Sequence, residues 1–106
     1  MAGQRFDMNQ LMRQAQEMQS QMARAQEQLA NETVEASAGG GLVSVKATGT
    51  GVIQEIKIDP KAIDPEDPEL LEDTVLAAVN EALRAAQALA ESKLGGSLGG
   101  LGLPGL

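Results

Sequence analysis

The stretch from Gly39 to Pro60, GGGLVSVKATGTGVIQEIKIDP, decides the fold. Val43, Val45 and Ala47 alternate with Ser44, Lys46 and Thr48, the period of two of a strand with one buried face. Gly49-Thr50-Gly51 follows, and its glycines can take the positive φ that lets the chain reverse. Val52, Gln54, Ile56 and Ile58 then share one face of a second strand, with Ile53, Glu55 and Lys57 on the other. Pro60 has no N–H to give a ladder and closes that strand. The reading is a β-hairpin. Just upstream, Val34, Ala36 and Ala38 alternate with Glu35 and Ser37, so a short strand precedes the hairpin and the sheet is three-stranded and antiparallel. The triple glycine between the first two strands lacks the lysine and following helix of a phosphate loop, and reads as a turn.

Both flanks of this sheet are helical in pattern. From about Phe6 to Asn31 the apolar positions are Met8, Leu11, Ala15, Met18, Met22, Ala25 and Leu29, an a/d heptad held for three repeats and widened by Met12. Gln14, Gln21 and Gln28 flank the stripe on one side, Gln19 and Gln26 on the other, and ordinary helix packing is its expected use. Arg13 and Arg24 lie on the outer face, where Arg13 and Glu17 are spaced as an i,i+4 pair. After the sheet, Pro60, Pro65 and Pro68 punctuate a linker. Asp67 is a good N-cap with Pro68 as first helical residue, and the last helix runs to about Leu94 with Gly95 as its expected C′ residue. Leu71, Val75, Ala78, Val79, Ala82, Ala86 and Leu89 form one apolar stripe, while Leu76 and Leu83 extend the surface around a second side. A helix apolar on two sides contacts two elements, here its own sheet and a partner chain. The expected dimer interface is therefore Leu71, Val75, Leu76, Val79 and Leu83.

The fold class that results is α+β, a helix, a three-stranded antiparallel sheet and a helix (α-β-β-β-α). One domain spans residues 6–94, between a disordered N-terminus (1–5) and a flexible tail rich in glycine and leucine (95–106). A domain this small is marginal alone, and this one has a single Phe, no Tyr and no Trp to fill a core. Oligomerisation is the natural remedy.

Composition excludes several functions. Without Cys there are no disulfides and no thiolate metal sites. Without His the commonest general base is missing, and Ser44 as a nucleophile has no evident activating partner, so the chain is not read as an enzyme and no cofactor is expected. No run is long enough to cross a bilayer, and a soluble cytoplasmic protein is the default. The net charge of −7 is concentrated: residues 61–80 set Lys61 against Asp64, Glu66, Asp67, Glu69, Glu72 and Asp73. Most of those carboxylates suit the positive end of the last helix, and their spacing is not that of an EF-hand. Residues 1–31 balance Arg5, Arg13 and Arg24 against Asp7, Glu17 and Glu27.

Three segments in order carry a family resemblance: Leu11-Met12-Arg13-Gln14-Ala15-Gln16 with Met18-Gln19; Gly41-Leu42-Val43 and Val45, then Gly49 or Gly51, then Ile56-Lys57-Ile58-Asp59-Pro60; and Asn80-Glu81-Ala82 with Arg84. Together they resemble the YbaB/EbfC family of bacterial nucleoid-associated proteins over roughly residues 8 to 94. The resemblance implies a small homodimer with helices projecting from a joined β core, bound to duplex DNA in the bacterial nucleoid. It places DNA contacts at Arg13, Arg24 and Arg84, with Arg5 as a further cation, while Gln21 and Glu55 stand where relatives often carry a basic residue. No helix here is rich in Arg, Lys and Asn like a recognition helix, and no aromatics are set to stack on bases, so contacts are to phosphates and sequence specificity is low. The competing reading is a dimeric protein-interaction module serving DNA recombination or replication proteins, with the acidic cluster and the Met stripe as its contact surfaces.

Overall fold

Asp7 starts the first helix. Its side-chain carboxylate accepts from the backbone N–H groups of Asn9 and Gln10 at 3.1 and 3.2 Å, satisfying two of the donors that a helix start leaves unpaired. The computed structural model describes residues 7–99. Helix α1 is Met8–Asn31, followed by strands β1 (Thr33–Ala38), β2 (Val43–Thr48) and β3 (Ile53–Ile58), a single 3-10 turn at Pro60–Ala62, and helix α2 (Pro68–Gly99). The expected α-β-β-β-α order is the observed one. The strands are antiparallel in the order β1-β2-β3.

Register departs from the sequence reading in one place. Val43 faces Ile58, Val45 faces Ile56 and Lys46 faces Glu55, but the next residue of β2, Ala47, faces Ile53. One step on β2 thus spans two on β3, a bulge that makes Gln54 the extra residue. Directly opposed residues share a face, so Ile53 joins Ile56 and Ile58 on the core side. The unbroken alternation expected from Val52 through Ile58 does not hold, and Val52 is exposed outside the strand. An inserted residue flips the phase, and periodicity alone cannot reveal it.

The hairpin turn also uses its glycines unequally. Gly51 takes a φ of +87°, as a reversal requires, whereas Gly49 is not in the positive region. Its lack of a side chain instead lets Leu29 pack against the turn. The three glycines between β1 and β2 all have positive φ and form the expected turn.

The core is thin and aliphatic. Val43, Val45 and Ala47 of β2 meet Ala78, Ala82 and Ala86 of α2, all fully buried, with Val34, Ala36 and Ala38 of β1 and Leu71, Val75 and Val79 of α2 around them. Alanines four apart lie on one helix face and let α2 approach the sheet closely. The buried Thr48 hydroxyl accepts from the Val52 N–H at 3.1 Å and pairs with the Thr50 hydroxyl at 2.8 Å. Asp67 caps α2 as expected, accepting from the Leu70 N–H at 3.2 Å. The far end differs: α2 continues through Gly95 to Gly99, and Gly95 has no left-handed φ. Glycine costs about 1 kcal/mol in a helix relative to alanine, which weakens α2 there without ending it. The rest of the proposed tail, residues 100–106, and the N-terminal segment 1–5 lie outside the described residues.

The chain does not close on itself. Its radius of gyration is 21.3 Å and its long axis 81 Å, where a compact domain of this length would have a radius near 13 Å by the usual scaling, about 2.2·N^0.38. The sheet and the first half of α2 form the body, and α1 extends from it as an arm.

Candidate nucleic-acid interface

Of the 24 residues of α1, Leu29 alone is buried. Met8, Leu11, Met12, Met18 and Met22 are exposed, so the apolar stripe does not pack within the chain as expected. Arg13, Gln16, Glu17, Ser20, Gln21 and Arg24 line one shallow, open surface of the helix. Positions 13 and 24 are eleven residues apart, about three turns, which returns both to one face about 16 Å apart along the axis. Among the described residues no carboxylate lies within ion-pair distance of either arginine, and the anticipated Arg13–Glu17 pair is not formed. Two unpaired guanidiniums with amide and hydroxyl donors between them suit phosphate oxygens, while the Glu17 carboxylate on the same surface opposes them. The two arginines and the family-position Gln21 are legible in the sequence as candidates, whereas Gln16 and Ser20 are not marked as contacts; helical spacing counted from Arg13 picks them out.

The other candidate cations are placed differently. Arg84 lies on α2, where its guanidinium donates to Glu81 at 2.8 Å. Lys46 and Lys57 both sit beside Glu55, at 3.7 and 3.9 Å. Lys93 is paired with Glu32. Arg5 lies outside the described residues. Thus Arg13 and Arg24 are brought to one surface, and Arg84 is not part of it.

The five positions expected at a dimer interface split between two surroundings. Leu71, Val75 and Val79 pack against the core of their own sheet, whereas Leu76 and Leu83 are 60% and 37% exposed. The packing of α2 is against β1 and β2, and on the same side of the sheet Ile56 and Ile58 of β3 remain 44% and 38% exposed. Among the described residues no group of acidic side chains is placed to hold a metal ion, and no helix is long and apolar enough to cross a membrane.

Comparison with known proteins decides the family. Residues 4–101 match the model of the YbaB/EbfC DNA-binding family. The chain belongs to that family. Nucleoid-associated proteins from Ruminiclostridium cellulolyticum and Streptomyces avermitilis are 52% and 54% identical over 101 and 103 residues, covering 94% of this chain and 88% and 91% of theirs. The crystal structure of an uncharacterized Helicobacter pylori protein has the same fold, with a TM-score of 0.77 at 23% identity over 89% of this chain and 99% of that one. As a YbaB/EbfC protein, the chain is of a DNA-binding, nucleoid-associated kind despite its acidic average.

Proposed function

We propose that this YbaB/EbfC chain is a nucleoid-associated homodimer that holds duplex DNA by phosphate contacts from its α1 arms, with low sequence specificity and no catalytic role. The observation that carries this reading is the open α1 surface on which Arg13 and Arg24, with no carboxylate in ion-pair distance among the described residues, frame Gln16, Glu17, Ser20 and Gln21. Phosphate contacts position a protein on DNA without reading sequence, and the reading assigns these guanidiniums to phosphates rather than to base edges. Dimerisation is supported by what a single chain leaves bare: the Met and Leu stripe of α1, Leu76 and Leu83 of α2, and Ile56 and Ile58 of β3. A dimer doubles the cations available to one duplex. The nucleoid is then the site of action, as the curated relatives' names suggest for them.

Fluorescence anisotropy with a labelled duplex at low salt tests the reading. Binding that unrelated duplex sequences compete away as effectively as the labelled sequence itself supports it. Absence of binding, with capture of a recombination or replication protein in nuclease-treated extract, would instead favour the interaction module.

A further inference from the structure

Within a single chain nearly the whole length of α1 is exposed, so that chain sets its direction where the helix joins the body. The connection to β1 is a single extended residue, Glu32, and within one chain the arm is restrained by the contacts around it. Leu29, 1% exposed, packs at the turn between β2 and β3. The Gly49 N–H donates to two carbonyls of the joint, Leu29 at 2.9 Å and Glu32 at 3.0 Å. No side chain fits at that position: a Cβ on Gly49 would lie 2.9 Å from the Leu29 carbonyl oxygen, 2.8 Å from its Cδ2 and 3.2 Å from its Cβ. From α2, the Lys93 ammonium pairs with the Glu32 carboxylate.

We propose that Gly49, seated against Leu29 and backed by the Glu32–Lys93 pair, is a positioning element that fixes the angle of the α1 arm and through it the affinity for duplex DNA. The inference rests on the reading of α1 as the DNA-contacting arm. Leverage makes it consequential. Arg13 is sixteen residues from Leu29, about 24 Å along the helix, so a tilt of about 10° moves it by about 4 Å. That displacement exceeds the 3.4 Å axial step between phosphates of one strand. None of the joint residues needs to touch DNA to matter.

The chain has no cysteine, so a spin-label pair at Gln10→Cys and Glu66→Cys, diluted with unlabelled protein, reports the arm-to-body distance directly. Gly49→Ala shifts or broadens that distance and weakens duplex binding roughly tenfold, the scale of losing one charge-assisted contact. Glu32→Lys supplies a second test at a partly exposed site. A cation added near DNA should strengthen binding by electrostatics alone, whereas a broken joint weakens it and broadens the distance. The exchange Glu32→Lys with Lys93→Glu restores both. An unchanged distance in Gly49→Ala, or tighter binding by Glu32→Lys at an unchanged distance, overturns the proposal. If the unsubstituted protein fails to bind the duplex, or Arg13→Ala binds as well as it does, the DNA reading of α1 fails instead, and the label distances still report whether the joint holds the arm.

Discussion

Arg84 and Glu81 form an ion pair at 2.8 Å across one turn of α2, while Arg13, on the arm, has no carboxylate within such reach among the described residues. The two arginines carry the same charge but differ in what a phosphate would have to displace. At Arg84 a DNA phosphate competes with Glu81; at Arg13 it competes only with water. The family resemblance alone ranks them as equals.

Arg84→Ala is therefore expected to weaken duplex binding less than Arg13→Ala does in parallel titrations. Its effect on stability should also be small, since exposed ion pairs contribute about 0–1 kcal/mol. A larger binding loss for Arg84→Ala than for Arg13→Ala would move the DNA surface from α1 to α2.

The close fit of α2 on the sheet gives a packing prediction. Ala82 is fully buried against the sheet, whereas Ala77 is exposed. Ala82→Leu should cost about 1–3 kcal/mol or more by overpacking, seen as a lower midpoint in urea, and Ala77→Leu should be near neutral. Equal midpoints for the two would mean that α2 does not lie where the structure puts it.

How much of this was legible in the sequence differs by level. Alternation in Val43–Thr48, the triple glycine and the Asp67-Pro68 start were enough for element order and topology, because each is a local signal with a local cause. The bulge at Gln54 was not, since it depends on which residues pair across strands. Nor was the end of α2, where Gly95 carries the composition of a stop without the left-handed backbone of one. At the candidate site, helical spacing put Arg13 and Arg24 outward, but whether each has a carboxylate neighbour is a matter of rotamers and tertiary distance. In the sequence Gly49 offers turn freedom; in the fold it serves close approach to Leu29, a contact between residues twenty apart in the chain.

The homodimer has its own test. If Leu83 and Leu76 are covered by a second copy, sedimentation should give a dimer at micromolar protein and a melting temperature that rises with concentration. Leu83→Asp should yield monomer or unfolded chain. A folded monomer with a concentration-independent melt contradicts the dimer and leaves the bare apolar surfaces unexplained.

The central claim, that unpaired arginines on α1 hold DNA by its phosphates, is tested most directly by the salt dependence of binding. Two arginines on each of two arms neutralise about four phosphates, which predicts a slope of log K against log salt of about −3.6 and a loss of roughly 150-fold between about 50 and 200 mM. Arg13→Ala removes two of those cations per dimer and should flatten the slope by about 1.8, while Lys61→Ala, beside the acidic cluster, should leave it unchanged. If Arg13→Ala and Lys61→Ala give the same slope as the unsubstituted protein, α1 is not the surface that meets DNA.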